Sequence, residues 1–410
     1  MSVTAPDPHP KSAPPPAWRV WAGRLALVVA GLVIGLLLVE VLLRVTARMG
    51  LLPITLHDTL SDVRLVPWSD ETVVPPQLVR TDSYFGSISR QADHYLWEVG
   101  GHAAILDLTT YNWLDPKSHV GFRVPDTSWQ PRWPVDAVVV GDSFTFCFVT
   151  YPECWVSKLQ SDYGLSMVNL GLPATGSVSH ERVLDTFGLA YKPRIVLWQW
   201  WGNDSYEDTL LYAIQHPKPD KGGEVPGPCT TPSSLQRWLD TYSALGAMTH
   251  GLGCAVDPLA VDPYHVTSGA INLTFGSVWF RVPLDMSTKE NKKGWPMTQD
   301  ALLAANQMAN GIGAKLVIVL IPAKEEVYQK LTEPYLGAQN LAIYSEGRNM
   351  MLGLCKTRGL TCFDVTPVLT QHANAGEQVY WPSDIHLNPA GNAILAQAVD
   401  DFLKAQGLVK

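Results

Sequence analysis

Four short runs in this chain carry the residue types that acyl transfer needs. They are Gly141-Asp142-Ser143-Phe144-Thr145, Asn169-Leu170-Gly171-Leu172-Pro173-Ala174-Thr175-Gly176, Trp201-Gly202-Asn203-Asp204, and Asp384-Ile385-His386-Leu387-Asn388 with Gly391 close behind. A serine on a strand-to-helix turn exposes its hydroxyl at a sheet edge, with helix N–H groups beside it. It needs a base, for which His386 is the candidate, and the base needs an orienting acid, for which Asp384 lies two residues earlier. A tetrahedral intermediate needs hydrogen-bond donors at its oxyanion. The Asn203 side-chain amide, the Ser143 N–H and a backbone N–H of the second run, around Ala174 and Gly176, can supply them. Each run alone is also an ordinary turn signal. Their order, and the element each one adjoins, separates them from four turns.

Those elements are readable from 136 onward. Short β-rich apolar runs at Asp136–Val140, Ser166–Leu170, Arg194–Gln199, Lys315–Ile321 and Thr361–Val365 predict strands. Helical patterns at 178–190, 298–312, 338–357 and 389–405 alternate with them. This alternation predicts a parallel sheet with helices on both faces. In such sheets ligands bind beyond the carboxyl ends of the strands. Three of the four runs come directly after predicted strands, and the fourth precedes the last helix. A Pro- and Gly-rich stretch, about 205–295, reads as an insertion that forms a lid or a substrate-facing subdomain. Residues 47–130, rich in Pro and aromatics with weak periodicity, read as a stalk and N-terminal elaboration before a main domain over 131–410. There are no internal repeats.

Taken together, the four runs resemble the SGNH hydrolase superfamily, also called GDSL-type esterases, over residues 120–405. The resemblance implies a three-layer α/β/α, flavodoxin-like fold. It also implies Ser143 as nucleophile, Asn203 as an oxyanion donor and His386 as base. The second-run glycine expected five residues after Asn169 is Ala174 here, with Gly171 and Gly176 nearby. A backbone N–H serves from any residue type, so the third donor stays open among them. Many members of the superfamily place the acid three residues before the histidine, where this chain has Ser383. The spacing from Asp384, with Asn388 and Gly391 after the histidine, is similar to the alginate O-acetyltransferase-related branch. Ile321-Pro322-Ala323-Lys324-Glu325 and Tyr328 are similar to a segment of that branch as well. Such domains act on acyl esters of exported polysaccharides.

The 410 residues are 46% hydrophobic and 17% charged, with a net charge of -8 and a pI near 5.7. That composition excludes a disordered or collagen-like chain. The acidic balance, without Lys/Arg blocks, argues against a nucleic-acid partner. Residues 1–18 read as a disordered cytoplasmic tail. From Leu25 to Leu43 the chain is apolar except for Glu40, long enough at 1.5 Å per residue to cross roughly 28 Å of bilayer. Trp18 and Trp21 flank one end as interfacial anchors, and Glu40 can snorkel at the other. We read 19–46 as a single transmembrane signal-anchor that exports the C-terminal remainder of the chain. A cleaved signal peptide is disfavoured by the long apolar run and the lack of a clear small-x-small site after it, and a buried core helix is a further alternative. Export makes disulfides of the six cysteines. The sequence-local couples are Cys147 with Cys154, Cys229 with Cys254, and Cys355 with Cys362, one of fifteen connectivities. Free buried thiols are the alternative.

Other features read more simply. Trp198, Trp200 and Trp201 form either a sugar-stacking platform or core packing, with core packing favoured. The same choice applies to Tyr380 and Trp381. Asp142 reads as a loop-holding residue, and His180 as structural or solvent-exposed. No spacing matches a metal site and no cofactor loop is present. Asn203-Asp204-Ser205 and Asn272-Leu273-Thr274 match the N-glycosylation pattern, the first by accident of the site. The sequence therefore predicts a membrane-anchored, extracytoplasmic serine esterase or O-acyltransferase without cofactors. Its substrate is expected to be an acylated polysaccharide or another ester, with partners in a polysaccharide-modification system. A catalytically silent carbohydrate-binding or assembly module and a lipid-directed esterase are the alternatives.

Overall fold

The computed structural model describes residues 17–48, 78–99, 103–216, 245, 264–275 and 282–410. The N-terminal tail, most of the 205–295 stretch and the Cys229/Cys254 couple lie outside the described residues. The chain divides into two compact units, residues 1–70 with 226–258, and residues 71–225 with 259–410. In the first, Ala17–Arg48 form one helix, α1. Its Gly23–Leu43 segment is long and apolar enough to cross a membrane. Leu25, Leu32 and Leu38 on it are exposed. The Glu40 carboxylate accepts a hydrogen bond from the Leu245 N–H at 2.9 Å, a contact the sequence did not announce.

The second unit opens with β strands. β1 (Val79–Asp82) and β2 (Gly86–Ser89) pair antiparallel. β3 (Ala92–Val99), β4 (Ala104–Tyr111) and β5 (Phe122–Val124) form an antiparallel meander. Then come β6 (Ala137–Val140), α2 (Ser143–Phe146), α3 (Trp155–Ser161), β7 (Met167–Asn169), α4 (Ser177–Val183), β8 (Ile195–Trp200) and α5 (Asp204–Gln215). A hairpin of β9 (Tyr264–Ser268) and β10 (Ile271–Phe275) precedes α6 (Lys289–Gly311) and β11 (Lys315–Leu320). The chain closes with α7 (Lys324–Val327), α8 (Gln329–Arg358), β12 (Thr361–Asp364), α9 (Thr366–Asn374) and α10 (Pro389–Ala405).

All five strands expected from sequence are present within a residue or so of their expected ends. They form one wholly parallel sheet in the order β12-β11-β8-β6-β7. Numbered by appearance this is the flavodoxin-like order 2-1-3-4-5 read from the other edge, and its switch point lies between β6 and β8. Strands β6 and β8 are buried along their whole length, as continuous apolar runs in a parallel sheet must be. Alternation along β6 splits the core. Ala137 and Val139 point with Leu197, Val317 and Val319 into a layer closed by α3, α9 and α10. Val138 and Val140 point with Val196, Trp198 and Ile318 into the opposite layer, closed by α4, α6 and α8. These are the three layers expected.

Two helices extend beyond their expected spans. α6 begins at Lys289 because Thr288 caps it, its hydroxyl accepting the Asn291 N–H at 3.2 Å. α8 begins at Gln329 and breaks at Gly337, where φ is +72°, so the expected 338–357 is its second segment. The 205–295 stretch starts and finishes inside α5 and α6, which pack closely. A Cβ at Gly294 would lie 1.7 Å from the Ser205 carbonyl oxygen.

Candidate active site

β6 ends at Val140, and the chain turns at once into α2, with Ser143 as its first residue. The turn is held from the neighbouring strand. The Gln199 side-chain oxygen accepts the Asp142 N–H at 2.9 Å and the Thr145 hydroxyl at 3.1 Å. A Cβ at Gly141 would lie 2.4 Å from that same oxygen, so only glycine fits there. Asp142 caps α2 by accepting the Phe144 N–H at 2.9 Å. It is fully buried, and burial pushes its carboxyl up to about 6. From Gly141 to Val149 only Ser143 is partly exposed. The turn thus presents one hydroxyl.

His386 meets that hydroxyl. Its Nε2 lies 2.7 Å from Ser143 Oγ, and its Nδ1 lies 2.5 Å from Asp384 Oδ1. The same carboxylate oxygen accepts the His386 N–H at 2.8 Å, so a spacing of two residues lets one aspartate hold both ring and backbone. Burial opposes the Asp384 charge, but His386, its two hydrogen bonds and Lys324 prevail and hold the carboxyl below its usual range. The imidazole is packed between Phe144 and Phe148, with ring centroids 4.9 and 4.8 Å away. Its loop is pinned by a bridge between Tyr380 and Leu387 and by the Trp381 N–H donating to the His386 carbonyl at 3.0 Å. Asn388 caps α10 by accepting the Gly391 N–H at 2.9 Å.

The other two runs flank Ser143, because β7 and β8 are the two neighbours of β6. Asn169 ends β7 and donates its side-chain amide to the Thr145 carbonyl at 2.7 Å. Its side-chain oxygen accepts the Gly171 N–H at 2.9 Å. Ala174 has φ +54°, a strained conformation for a residue with a Cβ. Thr175 anchors that turn through its hydroxyl on the Leu172 carbonyl and lies 3.1 Å from His180 Nε2. Gly176 is where α4 meets α5. A Cβ there would lie 2.4 Å from the Asp204 carbonyl oxygen. Asn203 stands three residues past the end of β8, the same offset as Ser143 past β6, and opens α5. It is buried, and its Oδ1 has no partner among the described residues.

Behind these loops lies a buried polar network. His180 is buried, and burial pushes it down to about 3, so it is neutral. Asp204 Oδ2 accepts the Ser177 hydroxyl at 2.6 Å, and burial beside Asp142 and Asp208 holds its carboxyl well above the usual range. His180 is therefore structural. Trp198 and Trp200 are wholly buried and Trp201 is 3% exposed, so this cluster is core. Two couples of cysteines are disulfides, Cys147–Cys154 and Cys355–Cys362. The first closes the loop directly behind α2.

Sequence reasoning gave no such role to four supports of the site. Gln199 carried a signal, a polar residue within an otherwise apolar strand. Lys324 is buried and donates to the Asp384 carbonyl at 3.1 Å. Tyr380 donates its hydroxyl to the Pro322 carbonyl at 2.8 Å. The segment 321–328 is thus a buttress for the histidine loop. The Phe144/Phe148 clamp had no sequence signal, since its two rings meet a residue near the other end of the domain.

A serine, a histidine and an aspartate thus form one hydrogen-bonded relay at the switch point of a flavodoxin-like sheet, an arrangement with the geometry acyl transfer needs. Residues 280–410 match the family described as the SGNH hydrolase-like domain of the acetyltransferase AlgX. Over those residues, which hold Asp384 and His386 but not Ser143 or Asn203, the chain is similar to that family. No curated protein matches its sequence. Among solved structures it is similar to the acetyl xylan esterase AlAXEase, at 11% identity and TM-score 0.36 over 65% of this chain and 99% of that one. It is also similar to a catalytic mutant of Axe2, an acetylxylan esterase from Geobacillus stearothermophilus, at 13% identity and TM-score 0.37 over 67% and 96%. TesA is matched at 16% identity and TM-score 0.33 over 67% and 99%.

Proposed function

We propose that Ser143, His386 and Asp384 form a catalytic triad that moves an acyl group by way of an acyl-enzyme. Ser143 Oγ attacks the ester carbonyl while His386 Nε2 takes its proton, and Asp384 holds the imidazole and the imidazolium that forms. The oxyanion is held by the Asn203 amide, the Ser143 N–H and an N–H of the 174–176 turn. Collapse expels the alkoxide, which takes the proton from His386. Water or a saccharide hydroxyl then attacks the acyl-enzyme and gives its proton to the same nitrogen, and Ser143 Oγ leaves the acyl carbon and takes that proton back. The observation that carries this reading is the 2.7 Å separation of Ser143 Oγ and His386 Nε2, with Asp384 on the far side of the ring.

The helix Ala17–Arg48 supports a membrane anchor, and two disulfides support an oxidising compartment outside the cytoplasm. The acetyltransferase named in the family match over 280–410 supports an acyl ester as substrate, and the alginate O-acetyltransferase-like spacing of Asp384, His386, Asn388 and Gly391 favours an exported polysaccharide as its carrier. Under this reading residues 19–46 span the membrane, 47–130 link and elaborate, and 131–410 carry the chemistry. A serine-directed fluorophosphonate should label the wild-type chain and leave Ser143→Ala unlabelled. Asn203→Ala should label and lose about 100- to 1000-fold in kcat. A wild-type chain that resists the probe yet binds glycans would make the domain a binding module instead.

A further inference from the structure

In acyl transfer the alcohol half of the ester lies beside the base, because the base protonates the departing alkoxide and later deprotonates the incoming hydroxyl. The side chains around His386 therefore decide which alcohol is accepted. Phe148 packs on the imidazole. Trp97, on β3, stacks in turn on Phe148, with centroids 5.1 Å apart and an interplanar angle of 23°. Trp381 donates its indole N–H to the Phe148 carbonyl at 2.9 Å, which fixes its ring. Tyr95, two residues before Trp97 and on the same face of β3, is 6.3 Å from it. Phe148 is buried, whereas Trp97, Tyr95 and Trp381 are only half-buried and keep ring surface free.

The wall is also held rigidly. Arg123, buried on β5, donates to the Cys147 and Val149 carbonyls at 3.4 and 3.1 Å, on either side of Phe148. The Cys147–Cys154 disulfide closes the same loop. The meander β3–β5 is thereby fastened to the nucleophile loop, and the rings beside the base cannot drift. Flat, immobile aromatic faces suit the C–H face of a sugar ring, whereas a long acyl or alkyl alcohol needs a deep aliphatic trench.

We propose that Trp97 and Trp381, set by Phe148, form the saccharide subsite that holds the alcohol half of the substrate against His386. This rests on the triad reading and goes beyond it by naming where the sugar binds. The test compares Trp97→Ala, Trp381→Ala and Trp97→Phe in the full chain. The substrates are p-nitrophenyl acetate, which has no sugar, and O-acetylated oligosaccharides of the cello, manno and xylo series. The expected result is an unchanged kcat/KM for the small ester in the two Trp97 variants, and in Trp381→Ala, whose ring also bonds the Phe148 loop, a larger loss on saccharides than on the small ester. For at least one saccharide series KM should rise about 3- to 10-fold in the alanine variants, the range expected from one lost ring stack, with partial rescue in Trp97→Phe. Equal losses on both substrate types, or no loss on any saccharide, overturn the subsite. Calorimetric titration of Ser143→Ala with the deacetylated oligosaccharides separates this claim from the triad. If no ester is hydrolysed, weaker sugar binding in the tryptophan variants still supports the subsite, and unchanged binding overturns it.

Discussion

The buried ammonium of Lys324 donates to the backbone carbonyl of Asp384, the residue whose carboxylate holds the His386 ring, at 3.1 Å. Burial pushes the lysine down, with Glu325 and Asp384 opposing. Its charge in turn helps hold Asp384 ionised. A carboxyl with a lowered folded pKa contributes stability above its unfolded pKa and loses it as pH falls through the folded one. Lys324→Met removes a cation and a donor from Asp384. The acid limb of kcat/KM should move to higher pH, and stability should fall by about 1–3 kcal/mol. A pH profile identical to wild type would show that the lysine serves only packing.

Gly171 is a second point where the site is set from a distance. A Cβ there would lie 2.5 Å from the Phe146 N and 2.7 Å from the Thr145 carbonyl carbon, both backbone atoms of the helix that carries Ser143. Neither can step aside without moving Ser143. Gly171→Ala should cost about 1–3 kcal/mol by overpacking, read as a lower urea midpoint. It should also reduce kcat more than it raises KM, since Ser143 is displaced from His386.

The extent to which these relations were legible in the sequence depends on their range. Ser143, Asn203 and His386 were visible because each stands at a fixed offset from a strand or helix boundary, and boundaries are written locally in Gly, Asp and Asn. Strands β6, β8 and β11 were visible as unbroken apolar runs. The start of α6 was not, since Pro296 reads locally as a boundary and only the Thr288 cap reveals the true beginning. The burial of Trp198 and Trp200 could not be read from alternation, because a strand covered on both faces has no polar side to contrast with. Trp97 was illegible for another reason. Its approach to Phe148 depends on how an irregular meander packs on a loop well beyond it in the chain.

Asp142 offers a test that depends on pH. Burial raises its carboxyl from 3.8 to about 6. With a raised folded pKa, its contribution to stability is complete below the unfolded pKa and is lost as pH rises through the folded one. Between about pH 4 and pH 6 wild-type stability should therefore decline from this group, by about 2–3 kcal/mol at most. Asp142→Asn keeps an acceptor for the Phe144 N–H and removes the buried charge. The variant should gain stability relative to wild type at pH 8 and show little difference at pH 4, measured by urea unfolding at both. A variant less stable at pH 8 than at pH 4, relative to wild type, would mean that Asp142 is ionised and paired.

The two disulfides close loops of equal sequence separation, 7 residues each. Chain entropy therefore assigns them similar contributions, about 2–3 kcal/mol. Their positions differ. Cys355 and Cys362 join α8 to β12, the strand farthest from β6 on its side of the sheet. Cys147 comes directly after α2, donates its N–H to the Ser143 carbonyl at 3.0 Å, and precedes the Phe148 that packs on His386. Removing either bridge by double alanine substitution should lower the urea midpoint by a similar amount. Only the Cys147/Cys154 variant should also lose kcat, because there the freed loop carries one wall of the histidine clamp. The two variants assayed side by side below their unfolding transitions separate stability from catalysis. Equal kcat losses in both would show that the bridge behind Ser143 has no part in holding the site.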